Sequence, residues 1–179
     1  MPNLLQLPSR DRNRALRVVV ETPARSTVKL SYAPDLEIFE FSRSLPLGIA
    51  YPYDWGFVPG THAADGDPLD AMVIHDGITH PGVVIPCRAI GVVCLTEKTE
   101  SRKRRIRNDR VIAVPVDDAR LRGIRGLSRR VRTELEHFFL AVTALEGKEA
   151  HVEGWAGLPE AQKLIRDAQR ALDAAEAEA

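Results

Sequence analysis

The chain has few cysteines, no net charge and no long apolar run, and each of these shortages excludes something. Cys87 and Cys94, the only two cysteines, lie in strand-like sequence without a Cys-x-x-Cys pair or a Cys/His cluster. That leaves no thiolate metal site to read, and both are expected to be buried apolar thiols. Lys plus Arg and Asp plus Glu number 25 each, so global charge gives no reason to invoke a membrane or nucleic-acid partner. No apolar segment approaches the length of a membrane span, and the N-terminal "MPNLLQLPSRDRNRALR" lacks the apolar stretch of a signal peptide. A cytoplasmic protein is the expectation. The five histidines, at 62, 75, 80, 137 and 151, show no metal-ligand spacing. Internal repeats and dividing linkers are also missing. A chain of 179 residues then fits one domain, 1–179, around a single core.

What is present first is a run of short strands. "LRVVVE", "VKLSY", "LEIFEFSR", "DAMVI", "GVVIPCRAIGVVCLT" and "RVIAVPV" are rich in Val and Ile and broken by Pro, Gly and Asp. Their density predicts a small β-barrel or a strongly curled sheet. From Leu127 the period changes: Val131, Leu135, Phe138, Val142 and Leu145 follow at helical spacing, with Gly147 as the C-terminal cap. "KEAHVEGW" reads as a further strand. A second helix is expected from near Pro159, with Ala161, Leu164, Ala168 and Leu172 on one face and a frayed "LDAAEAEA" end. Both apolar stripes are explained by core packing.

The stretch that asks for chemistry is "DGDPLDAMVI", residues 65–74. Three carboxylates fall within six residues and lead directly into an apolar strand. Like charges so close repel unless solvent or a cation intervenes. Gly66 permits unusual backbone angles and Pro68 stiffens the turn, so Asp65, Asp67 and Asp70 can aim at one point. A calcium loop of the EF-hand type is excluded, because Leu69 and Asp70 stand where it needs a ligand and a glycine. Hard oxygen donors suit Mg²⁺ or Mn²⁺, ions that work together with phosphate oxygens. A hydrated surface turn explains the same residues, and context decides between the two. "YPYDWGFVPGTH", residues 51–62, provides a stiff aromatic wall, and Lys29 and Arg43 stand in candidate strands where they can hold an anion.

In sum these motifs resemble the soluble inorganic pyrophosphatases of the bacterial, single-domain type. "VETP", "VKLSY", "YPYDWGFVPGT", "DGDPLDAMV", "GVV" followed by "IAVP", and "HFF" with "VEGW" occur in that family's order, from about Val18 to Trp155. The resemblance implies an α+β fold, a five-stranded OB-like β-barrel with flanking helices, and a site at the barrel mouth. It implies Mg²⁺-dependent hydrolysis of pyrophosphate by a metal-activated water. Asp67 would be the general base, with Asp65, Asp67, Asp70, Glu97 and Asn108 toward the metal. Lys29, Arg43, Tyr51 and Arg110 would hold phosphate oxygens, and Glu21 would support them. The position of "HFF", beginning at His137, hints at a homo-oligomer.

Departures from the family pattern are equally specific. Ser31 stands where the family has a glutamate, Glu97 and Asn108 where it has aspartates, and Arg110 where it has a lysine, with Asp109 as the alternative acid. Trp55 replaces a tyrosine, and Val142 and Thr143 replace a tyrosine and lysine that grip phosphate. An intact inner core with an eroded outer shell is the expectation. The segment 97–110 holds seven basic residues and reads as a long exposed hairpin loop. Arg102, Lys103, Arg104, Arg105, Arg107 and Arg110 are candidates to replace the missing cations, against a plain solvated loop. A nucleic-acid contact is disfavoured, because no aromatics interleave the basic residues. Two rivals remain: hydrolysis of a larger phosphoanhydride such as a nucleotide or polyphosphate, and a noncatalytic metal- or phosphate-binding protein.

Overall fold

A computed structural model describes residues 3–99 and 105–178. The chain forms β1 (Leu16–Thr22), β2 (Val28–Ala33), β3 (Ile38–Ser44), β4 (Asp54–Val58), β5 (Leu69–Val73), β6 (Val84–Thr99), β7 (Ile106–Arg107), β8 (Arg110–Pro115), α1 (Arg129–Leu145), β9 (Lys148–Ala156) and α2 (Leu158–Glu178). The fold is mixed α+β, with a mostly β core and two helices. No helix among the described residues is long and apolar enough to cross a membrane.

Strand pairing runs in a closed circuit. β1 pairs with β4, β4 with β5, β5 with β8, β8 with β6, and β6 returns to β1. All of these pairings are antiparallel except β5 with β8. β9 and β7 extend the sheet from the far half of the 16-residue β6. β2 and β3 form a separate hairpin.

Period-2 alternation sorts the side chains of this sheet onto two buried faces. Ala71, Val73, Val111 and Ala113 join one apolar cluster, and α2 covers it with Ala161, Ile165 and Ala168. Met72, Ile112 and Val114 point the other way, into a cluster closed by Leu135, Phe138 and Phe139 of α1. Each large side chain buried in this way stabilises the fold by about 2 kcal/mol. Burial on both faces explains why β1 and β8 read as unbroken apolar runs. Two glycines permit the close approaches. A Cβ at Gly56 would stand 1.8 Å from the Val19 carbonyl oxygen, and one at Gly91, at a bulge in β6, 2.6 Å from that of Ala156.

Several expectations are corrected. "DWGFV" is a fully buried strand, β4, inside the segment expected to serve only as a wall. α2 is helical as far as Glu178, into the end expected to fray. Segment 97–110 is not simply an exposed loop. Glu97, Asn108, Asp109 and Arg110 are buried, because β6 and β8 carry the flanks of the loop into the sheet. Arg102, Lys103 and Arg104 lie outside the described residues. Cys87 is buried as expected, but Cys94 is half-buried beside Arg107.

Candidate active site

β5 and β8 run parallel with Ala71 opposite Val111. One step earlier on each strand, on the face that holds Met72 and Ile112, the apolar residues give way to Asp70 and Arg110. Arg110 Nη1 stands 2.5 Å from Asp70 Oδ2. Here the sheet opens into a cavity of about 340 Å³, floored by Trp55, Phe138 and Phe139. The Arg110 guanidinium lies over the Trp55 ring, 5.5 Å from its centroid, a cation–π contact that fixes its plane.

The acids of the turn before β5 face the same cavity. Asp65, Asp67 and Asp70 all line it, together with Glu21 near the end of β1. Gly66, at φ +103°, makes the turn possible. The Asp67 amide donates to Asp65 Oδ1 at 3.3 Å, and the Asp67 carbonyl accepts from the Ala63 amide at 2.8 Å. Asp67 itself is exposed at the mouth. Burial pushes the Asp70 carboxyl up to about 6, despite Arg110 and Lys29, with repulsion from Asp65 and Asp67 adding to the shift. Burial likewise raises Glu21 to about 7, against the Tyr32 amide that donates to it at 2.8 Å. Asp70 and Asp67 push it further in the same direction.

The cations stand among these acids, and most of them are already engaged. Lys29 Nζ donates to Glu146 Oε1 at 3.1 Å, and Arg43 Nη2 donates to the same oxygen. Lys148 Nζ bridges Glu146 Oε2 at 3.0 Å and Glu97 Oε2 at 3.2 Å. Glu97 Oε1 takes Arg110 Nη2 at 2.9 Å, while Asn108 donates to Glu97 Oε2 at 3.1 Å and accepts from Arg110 through its own carbonyl oxygen. Asp70, Arg110, Glu97, Lys148, Glu146, Lys29 and Arg43 therefore form one continuous chain of opposite charges.

The expected site residues divide accordingly. Asp65, Asp67, Asp70, Lys29, Tyr51, Asn108 and Arg110 line the cavity, as do the departures Ser31, Trp55, Val142 and Thr143. Arg43 and Glu97 are not on its wall and reach it through Glu146 and Arg110. Tyr51 is 2 % exposed and packs edge-on against Phe138, and burial raises its hydroxyl pKa. Asp109 is no substitute acid, since it turns away to take the Leu95 amide at 3.0 Å and Arg107 Nε at 2.5 Å. Arg105 and Arg107 do not replace missing cations in the cavity either. They pair with Glu149 and with Asp109 and Glu160. The residues that sequence reasoning missed are Glu146 and Lys148. In sequence they are charges flanking a helix-ending glycine, the ordinary composition of a surface turn.

Comparison with known proteins follows the same pattern. A family model described as inorganic pyrophosphatase matches residues 18–173. The inorganic pyrophosphatase of Synechocystis sp. is 33% identical over 168 residues, covering 92% of this chain and 96% of that one. The one from Thermus thermophilus is 35% identical over 173 residues, covering 93% and 95%. The crystal structure of inorganic pyrophosphatase from Thermus thermophilus superposes with a TM-score of 0.85 at 32% identity, over 96% of this chain and 99% of that one.

Proposed function

The chain belongs to the inorganic pyrophosphatase family, and on that premise we propose that it hydrolyses inorganic pyrophosphate to two phosphates in the cavity between Asp70 and Lys29. The observation that carries this reading is the meeting of four carboxylates, Glu21, Asp65, Asp67 and Asp70, with Lys29, Arg110 and Lys148 around one opening. A diphosphate needs cations on its oxygens and an acceptor for the proton of the attacking water, and the two sides of the cavity supply them.

The donor set fits a hard divalent cation, Mg²⁺ or Mn²⁺. It is all oxygen, and a divalent charge would offset the burial and the mutual repulsion that raise Asp70 and Glu21. Among the described residues no three acidic, histidine or cysteine side chains converge closely enough to hold an ion as they stand. Asp65, Asp67 and Asp70 would hold it, the first two from the turn before β5 and Asp70 in place of its contact with Arg110. When bound, such an ion supplies neutralisation of the phosphoryl oxygens and acidity to the attacking water. Glu97 and Asn108 would join the set only by exchanging Arg110 and Lys148 for the ion; as arranged, they orient Arg110.

The remaining roles belong to the chain. Asp67, at the mouth and without a basic partner among the described residues, accepts the proton of the water at its carboxylate. Lys29 and Arg110, which both line the cavity, grip phosphoryl oxygens, Arg110 with a plane fixed by Trp55. Arg43 and Tyr51 support this side from behind. Phe138, Phe139 and Val142 keep the floor dry, which strengthens each charge contact above it.

The closed strand circuit supports an OB-like barrel of five strands, with the site at its mouth, in one domain spanning 1–179. We place the protein in the cytoplasm as a homo-oligomer. Leu36, Ile38, Phe41 and Leu47, exposed on and beside the β2–β3 hairpin, provide apolar surface for self-association.

Phosphate release from pyrophosphate, titrated with Mg²⁺ and with Mn²⁺, tests the reading. Release that requires metal and falls by on the order of 10² or more in Asp67→Asn is expected. No release from folded, metal-binding protein overturns it.

A further inference from the structure

Glu146 sits where three cations meet. Its Oε1 accepts from Lys29 Nζ at 3.1 Å and from Arg43 Nη2, and its Oε2 accepts from Lys148 Nζ at 3.0 Å. Those cations depress its pKa to about 2 against the cost of burial, which favours its ionised form. Counted with Glu97, Arg110 and Asp70, to which Lys148 connects it, the cluster holds four cations and three carboxylates and is left cationic, on the wall of the cavity that Glu146 itself lines. The backbone holds it there. Glu146 caps α1, its amide donates to the Thr143 carbonyl at 3.0 Å, and Gly147 at φ +66° turns the chain at once into β9 and Lys148. Arg43 meanwhile keeps a buried Nε–H with no hydrogen-bond partner among the described residues, a donor that its carboxylate neighbour does not use. A planar carboxylate offers two oxygens to this cluster, whereas a phosphoryl group offers three and more charge.

We propose that Glu146 is a specificity-determining residue: its carboxylate occupies the place among Lys29, Arg43 and Lys148 that a phosphoryl group takes, so an anion is held only if it displaces this internal competitor. The inference rests on the proposed pyrophosphate hydrolysis and deepens it. A diphosphate brings a second phosphoryl group that engages Arg110, which lines the same cavity, and it can pay the cost of displacing Glu146. A single phosphate lacks that second hold. Glu146 therefore separates substrate from product and eases product release. A residue that merely positioned Lys29 and Arg43 would act in the opposite sense, since its loss would weaken both anions.

The test is Glu146→Gln, which keeps shape and removes charge. Binding of inorganic phosphate and of inorganic pyrophosphate is measured by calorimetry without added metal, alongside kcat and KM. Phosphate is expected to bind about tenfold more tightly, the usual effect of removing one like charge from beside an ionised group. Pyrophosphate should gain less, so that the ratio of the two affinities narrows and inhibition by phosphate deepens. Phosphate bound no more tightly by folded Glu146→Gln overturns the proposal. If that variant fails to fold by circular dichroism, Glu146→Asp withdraws the carboxylate by one methylene and is expected to move phosphate affinity in the same direction; no change there also overturns it. Glu134→Gln, which removes an exposed partner of Arg130 on the same helix, controls for net charge and should leave both affinities unaltered. If wild-type protein releases no phosphate from pyrophosphate while Glu146→Gln still tightens phosphate binding, the proposed activity fails and the role of Glu146 as internal anion stands.

Discussion

Arg110 Nη2 lies 2.9 Å from Glu97 Oε1, and both side chains are almost sealed from solvent, at 9% and 3% exposure. A second nitrogen of the same guanidinium reaches Asp70. One side chain thus ties an acid at the cavity wall to an acid behind it. Among the described residues, Arg110→Met would leave Glu97 with Lys148 as its one charged partner. Loss of about 3 kcal/mol of stability is expected, read as a lower urea midpoint with an unchanged denaturant slope.

The raised carboxyls give the stability of the metal-free protein a definite sign with pH. Asp70 titrates at about 6 when folded against an ordinary 3.8, and Glu21 at about 7 against 4.5. Between the unfolded and folded values the native state binds more protons than the unfolded one, so these groups make stability fall as pH rises from about 4 to 7. Glu146, depressed to about 2, acts oppositely, and its contribution is lost only as pH falls below about 4.5. The Mg²⁺ proposed above would compete with the proton on Asp70, and its charge would disfavour the one on Glu21. The rise in thermal midpoint produced by saturating Mg²⁺ is therefore expected to be larger at pH 8 than at pH 6, and chelator should abolish it at both.

Trp55 lines the cavity under Arg110 while Trp155 sits on β9, donating to Glu136 at 2.5 Å. These are the only two tryptophans. Pyrophosphate binding should change the intrinsic fluorescence through Trp55 alone. The signal is expected to survive in Trp155→Phe and to vanish in Trp55→Phe. Loss of the better cation–π partner should also cost about 0.5–1 kcal/mol in stability.

Ser31 faces the cavity with no charge. Ser31→Glu would restore a carboxylate one residue beyond Leu30 on the same strand face as Lys29. A lower Mg²⁺ requirement for pyrophosphate hydrolysis is expected, read as a leftward shift of the metal titration. An unchanged midpoint would show that the ion is held by the Asp65–Asp70 turn without help from β2.

Much of this was legible in the residues because local chemistry imposes it. Gly66 and Pro68 force a turn whatever surrounds them, and the acids on either side must then crowd. The α1 stripe of Val131, Leu135 and Phe138 can only be a helix with one apolar face. β4 was harder to read, because "DWGFV" is buried on both faces and shows no alternation, and its aromatic neighbours suggested a wall. The basic loop misled for a related reason. Seven like-signed residues look solvated in a list, yet Arg110 enters the core because Glu97, thirteen positions away, waits there as its counter-charge.

By itself the sequence determined the helices, most of the strands, the acid-bearing turn and the family, since each depends on spacing within a few residues or on motifs in fixed order. Only the tertiary structure decided which charges are spoken for. Lys29 lies 117 positions from Glu146 and Arg43 lies 103, so no local pattern could show that the cations expected to hold phosphate already hold a carboxylate. Electrostatic partnership is settled by distance in space, and the meeting of the β2–β3 hairpin with the C-terminal end of α1 is what brings these residues within hydrogen-bonding reach.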